Sequence, residues 1–304
     1  MKKLFAGFVV LLIVACLGFI QIDRLNENDI AIDENNNGKE EMKINKLDEK
    51  KARELGLDYD YKNKSLDEIF ADYIEQKQLD LSLEYYNFKT KEQYDLNENV
   101  YREAASLYKL PLNMFIYDEI NAGNIKGEEK IVLNSFHFSE ESTVDVYLGN
   151  AYSILELAKN SILYSDNVSA YALFDYLGGW YTYRQKTTKY SMNRDYSDEY
   201  YNNMYTASYM LDVLRYLYEH QEEYEILINQ MLEVSNDRSL KYYVDVPIAQ
   251  KEGWLINYWN VAGIVYEDAP YAVVIFTDEG EEEGPKICGE INFILHMHSK
   301  YSKQ

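Results

Sequence analysis

The longest uninterrupted apolar run opens the chain. Leu4 to Ile22, LFAGFVVLLIVACLGFIQI, carries no charge, follows Lys2 and Lys3, and is about long enough to cross a bilayer. Lysines before it and the bulk of the chain after it place the following residues on the outer side. From Asp23 to Lys64 the pattern inverts: stretches such as DENNNGKEEMKINKLDEKK are polar, acidic and asparagine-rich, with apolar residues too sparse for a core, and read as a stalk. Periodicity begins at Ser65. In SLDEIFADYIEQ, Ser65 and Glu68 have capping-box spacing and Ile69, Phe70, Tyr73 and Ile74 recur at helical spacing, so the folded domain is expected at residues 65–304.

The period then shortens to that of strands. LDLSLEYYNFKTKEQYDLNENV predicts two strands joined by a polar turn at Lys89 to Lys91. Three more are expected in GWLINYW, VAGIVYE and YAVVIFT, with breaks at Asn260 and at Asp268 to Pro270. About 150 residues of mostly helical pattern lie between the two groups, as in ASYMLDVLRYLYEHQEEYEILINQML, and a helix around GEINFILHMHSKY closes the chain. Strands from both ends with helices between them make an α+β chain. An antiparallel sheet would be flanked by terminal helices and joined by a mostly helical subdomain.

Composition narrows the function. The 304 residues are 47% apolar, enough for a proper core, and 30 Lys and Arg stand against 52 Asp and Glu. A net charge of -22 repels a phosphate backbone and excludes nucleic acid as a partner. The 31 tyrosines are read as replacing Phe or Leu at half-buried sites rather than as a carbohydrate-stacking surface. With two cysteines only, Cys16 in the apolar run and Cys288 near the end, no disulfide within the folded domain is possible. IVAC (Ile13 to Cys16) is similar to a lipoprotein-processing box, which would lipidate Cys16. The run stays apolar through LGFIQI, however, which favours an uncleaved signal anchor; either device tethers the chain at the outer membrane face.

Three short motifs carry candidate chemistry. In EAASLYKLPLN, Ser106 and Lys109 lie three residues apart at a helix start, so the amine can approach the hydroxyl. A desolvated lysine is partly neutral and can act as a base, and free N–H groups at a helix start suit an oxyanion. Pro111 removes a hydrogen bond to the Leu107 carbonyl. In LYSDNVSAYAL, Ser165, Asp166 and Asn167 precede a helix, where all three are also good caps. In VPIAQKEGWLINYW, Lys251 and Gly253 fall at a strand start.

In that order, on SLYKLPLN, YSDN and KEG, together with AGIVYEDAPYAVVIFT, the chain from Ser65 to about Tyr301 resembles the class A β-lactamase-like serine hydrolases, relatives of the penicillin-binding D-alanyl-D-alanine peptidases. The resemblance implies a β-lactamase/transpeptidase-like fold with a five-stranded antiparallel sheet, no cofactor and no metal. It implies that Ser106 attacks the substrate carbonyl with Lys109 as base, and that Ser165 relays a proton to the leaving nitrogen. Asn167 would hold the substrate amide, and Lys251 would attract the substrate carboxylate and tune Ser165. The N–H groups of Ser106 and of Trp254, just past Gly253, would form the oxyanion hole. The substrate would be a β-lactam or a D-alanyl cell-wall peptide.

Two positions depart from that family. Glu252 replaces a hydroxyl residue that helps to bind the substrate carboxylate, so a carboxylate pointing into the site would repel substrate, whereas one turned out would cost little. Glu199 and Asn203 have the spacing of the family's deacylating glutamate and its asparagine. YTAS follows them almost at once and leaves no room for the rest of the loop, so Glu199 is expected to be a solvated residue and β-lactam turnover to be slow. His137, His220, His296 and His298 have no zinc spacing, and Asp278 to Gly284 reads as a solvated turn. A hydrolase and a fold-sharing surface protein that only binds wall peptides or β-lactams both remain compatible with these residues.

Overall fold

The computed structural model describes residues 46–191, 197–234 and 238–301. Packing divides the chain into Met1–Leu47 and Asp48–Gln304, and the fold described below is that of the second unit. The expected anchor at 1–22, with Cys16, and the first part of the expected stalk lie outside the described residues. Among the described residues no helix is long and apolar enough to cross a membrane.

The described residues begin with α1 (residues 46–55), α2 (Leu66–Lys77), β1 (Leu81–Asn87), β2 (Gln93–Leu96) and β3 (Arg102–Glu103). A helical region follows: α3 (Lys109–Asn121), β4 (Lys130–Val132), β5 (Ala151–Ser153), α4 (Ile154–Leu163), α5 (Asn167–Tyr176), α6 (Trp180–Thr187), α7 (Asp198–Tyr201), β6 (Met204–Tyr205), α8 (Ala207–Glu219) and α9 (Glu225–Glu233). β7 (Ile248–Leu255), β8 (Tyr258–Val265), β9 (Tyr271–Thr277) and α10 (Gly284–Tyr301) complete it. The main sheet is antiparallel with strand order β2-β1-β9-β8-β7, so an early and a late strand of the fold meet where β1 pairs with β9.

Both faces of that sheet are covered, which is why YAVVIFT is continuously apolar instead of alternating. Tyr271, Val273 and Ile275 pack with α2 and α10, whereas Ala272, Val274 and Phe276 pack with the helical region. The Ser65 capping box forms as expected, Glu68 accepting from the Ser65 N–H at 2.9 Å.

Three expectations need correction. Residues 46–64 are not stalk: Ala52, Leu57 and Tyr61 are buried in the α2–α10 core, and Lys300 Nζ pairs with Asp48 at 2.6 Å. A few correctly spaced apolar groups dock a segment that its average polarity marks as unfolded. The break between β7 and β8 falls at Ile256 and Asn257, so Asn260 lies within β8 and Lys251 sits in mid-strand. The tyrosines go deeper than half-buried sites, with Tyr73, Tyr85, Tyr183, Tyr200, Tyr205, Tyr224 and Tyr271 among the largest fully buried side chains.

Candidate active site

Ser106 is the second residue of a short 3-10 helix, Ala105–Tyr108, that leads directly into α3. Its N–H precedes the first intrahelical bond, from Leu107 N to Ala104 O at 3.1 Å, and so belongs to the free donors of a helix start. Pro111 is the third residue of α3, where no intrahelical N–H bond is required, and the change of helix type absorbs the irregularity it was expected to cause. Ala105 has φ +47°, a left-handed conformation unusual for alanine. Its neighbours hold it there. Glu103 Oε1 accepts from the Ala105 N–H at 3.2 Å, and Asn203 Nδ2 donates to the Ala105 carbonyl at 3.1 Å.

The Ser165–Asn167 tripeptide is the corner between α4 and α5, and its three residues divide the work. Asp166 is the cap: Oδ1 accepts from Ser169 N at 2.7 Å, while Oδ2 accepts from Ser142 Oγ at 2.6 Å and Thr143 N at 2.8 Å. Ser165 has φ +55°, which turns its carbonyl toward Lys109 Nζ at 2.5 Å. Asn167 opens α5 and places Oδ1 at 2.6 Å from the same Nζ. Ser106 Oγ lies at 2.9 Å from that nitrogen.

The third wall is β7, the free edge of the sheet. A Cβ on Gly253 would stand 2.5 Å from the Ala104 carbonyl and 2.9 Å from the backbone nitrogens of Ser106 and Leu107, so only glycine lets the strand approach the nucleophile turn. Trp254 follows, 46% exposed and stacked on Trp259. Lys251 shares the face of Gly253 and reaches Ser165 Oγ at 3.0 Å. Glu252 points the other way, where Ser239 Oγ donates to its Oε1 at 2.6 Å; its carboxylate is turned off the site face, the arrangement in which little is lost. Lys251 Nζ also donates to the Glu252 carbonyl at 2.6 Å.

The partners of Lys109 define its protonation chemistry. The side chain is wholly buried, and burial, with the Lys251 ammonium adding to it, holds its pKa well below the usual lysine value against the pull of Asp166 and Glu140. A neutral amine has two N–H groups and one lone pair. The Ser165 carbonyl and Asn167 Oδ1 use the donors, leaving the lone pair for the Ser106 hydroxyl. Burial also brings Lys251 down to about 8, with Glu252 acting in the opposite sense.

The other flank of Ser106 is built differently. Glu199 lies exposed on α7, as expected of a solvated residue. Asn203, with φ +65°, reaches the nucleophile turn: Nδ2 donates to Glu103 Oε1 at 3.0 Å and to the Ala105 carbonyl, and its own carbonyl accepts from Ala104 N at 2.9 Å. Asn260 donates to the Glu103 carbonyl at 2.7 Å. Sequence reading missed Glu103 and Asn260, which follow no motif, and noticed Asn203 only through its spacing from Glu199.

The histidines stay apart, His137 on Asp175, His296 on Glu267 and His298 on Glu92, and no group of metal-binding side chains occurs among the described residues. Cys288 is a buried free thiol.

No curated protein matches the sequence. Among solved structures, PBP-A is similar over 77% of this chain and 96% of its own, at 16% identity and a TM-score of 0.68. A point mutant of PBP-A, solved as its acyl-enzyme complex with penicillin G, gives 80%, 99%, 16% and 0.69 in the same order. An ancestral class A β-lactamase gives 76%, 99%, 17% and 0.67. These likenesses establish the β-lactamase/transpeptidase fold, with its five-stranded antiparallel sheet. The Beta-lactamase enzyme family matches residues 63–297, and the chain belongs to that family, a serine hydrolase of the β-lactamase type.

Proposed function

We propose that the protein is a membrane-tethered, extracytoplasmic serine hydrolase that forms an acyl-Ser106 intermediate with β-lactams or D-alanyl cell-wall peptides and releases it slowly. The observation that carries this reading is the convergence on Lys109 Nζ of Ser106 Oγ at 2.9 Å, the Ser165 carbonyl at 2.5 Å and Asn167 Oδ1 at 2.6 Å. Lys109 accepts the Ser106 proton as Oγ attacks the carbonyl carbon, and the N–H groups of Ser106 and Trp254 receive the developing oxyanion. The ring or peptide nitrogen then leaves with a proton from Ser165, which takes the one Lys109 gained, across 3.4 Å from Nζ to Oγ, and which the Lys251 ammonium 3.0 Å away orients and makes more acidic. Asn167 and Lys251 bind the substrate amide and carboxylate.

Slow release follows from Glu199, which is exposed and offers no base beside the ester. The tether is supported by Lys2, Lys3 and the uncharged run from Leu4 to Ile22, with Cys16 as a possible lipidation point. Incubating the chain with a fluorescent penicillin tests the reaction: one covalent adduct is expected, mapped by peptide mass to Ser106 and absent in Ser106→Ala. Absence of both adduct and hydrolysis with every acyl and D-alanyl substrate would overturn it.

A further inference from the structure

Arg184, on α6, is wholly buried and has no carboxylate partner among the described residues. Its Nη2 donates to the Tyr200 carbonyl, but Nε and Nη1 have no hydrogen-bond partner. The guanidinium carbon instead lies 3.6 Å from the Tyr200 ring, 4.1 Å from Tyr205, 5.4 Å from Trp180 and 6.0 Å from Tyr183. The Tyr205 hydroxyl is likewise buried without a partner, and the Tyr183 hydroxyl has only the Arg184 guanidinium beside it and no acceptor for its own hydrogen. Four groups able to donate, with no acceptor of their own among the described residues, therefore occur in one aromatic cage around one positive charge that no described carboxylate meets. Ring faces offset part of that charge. They supply no lone pair along the N–H directions, and a buried unpaired ion is among the most costly groups a fold can hold. Water would satisfy the hydrogen bonds and leave the charge.

We propose that this cage is an internal anion site for one small monovalent anion of the halide class, with Arg184 Nε and Nη1 and the Tyr183 hydroxyl as donors. A single compact acceptor matches a cluster of donors that solvent does not reach, and it neutralises one charge with one. The guanidinium already acts on the Tyr183 hydroxyl, lowering the pKa that burial raises. The site lies behind the catalytic turn: the Trp180 ring packs edge-on against Tyr108 at 5.2 Å, and Tyr200 and Tyr205 bracket Asn203, which grips Ala105. An anion here stiffens that support, and its presence does not depend on which acyl substrate Ser106 takes.

The test replaces gluconate with bromide at constant ionic strength and follows the melting temperature of the full chain. A saturable rise of about 5 °C or more at a hundredfold excess over the midpoint is expected. Tyr183→Phe keeps the ring and should raise the bromide midpoint about fivefold, and Arg184→Met should abolish the dependence. If Arg184→Met does not fold, Tyr183→Phe still decides this arm. Crystals grown in bromide should show an anomalous peak within hydrogen-bond distance of Arg184 Nε or Nη1. A melting temperature indifferent to bromide, or bromide peaks at the surface only, overturns the proposal.

Discussion

Ser106 stands between two flanks built on different plans. On one side Lys109, Ser165, Asn167 and Lys251 form a closed set of contacts of 3.4 Å or less, in which donors meet acceptors and two amines are depressed by burial. On the other, Glu103 Oε1 and Asn203 Nδ2 hold the strained turn at Ala105, Asn203 Oδ1 is buried without a hydrogen-bond partner, and Glu199 faces solvent. The first flank can move a proton onto and off a reacting group. The second fixes the nucleophile in place, and among the described residues no hydrogen bond joins its exposed Glu199 to the turn. On the proposed function, the difference would separate the two halves of an acyl-transfer cycle, an assembled acylating half and a deacylating half without a base from Glu199.

Several changes would break or sharpen that contrast. The largest effect is expected from Lys109→Met, which removes the base and leaves the Ser165 carbonyl and Asn167 Oδ1 unpaired; acylation measured by stopped-flow labelling should fall by about 10²–10⁴-fold. Gly253→Ala comes next, because its methyl group would press on the Ala104 carbonyl from 2.5 Å. A loss of about 1–3 kcal/mol in denaturant unfolding, with acylation slowed about tenfold or more, is expected. The pH profile of acylation should be a bell. Lys109 must be neutral to accept a proton, so the rate falls as pH drops through its depressed pKa. Lys251 must be charged, so the rate falls again above about 8, about tenfold for each unit beyond. Asn203→Ala should slow acylation by a few-fold and cost about 1–2 kcal/mol, through the turn it releases. Glu199→Gln should change adduct lifetime by less than about twofold, since an exposed side chain has no part in the step.

The two flanks were also unequally legible in the sequence. Ser106, Lys109, Ser165, Asn167, Lys251 and Gly253 stand in short motifs because proton transfer restricts residue type at each position, and the capping role of Asp166 follows from its place before α5. Five strands, with the β7–β8 break misplaced, and helices α2 and α10 were readable from period, since both faces of the sheet demand apolar residues. Glu103 and Asn260 were not readable, because a carboxylate or carboxamide that grips a backbone can come from any loop the fold brings near. The same reason hides Arg184, whose cage is assembled from α6, α7 and β6 and leaves no spacing rule along the chain. The early start of the domain at α1 escaped notice because Ala52, Leu57 and Tyr61 are thinly spread among charges.

The lifetime of the acyl-enzyme tests the central claim most directly. After a single-turnover reaction with penicillin G, intact-mass spectrometry of the full chain should show an adduct that persists far longer than its formation takes, with the same decay in Glu199→Gln. Rapid loss of the adduct with multiple turnovers, abolished by Glu199→Gln, would contradict the account.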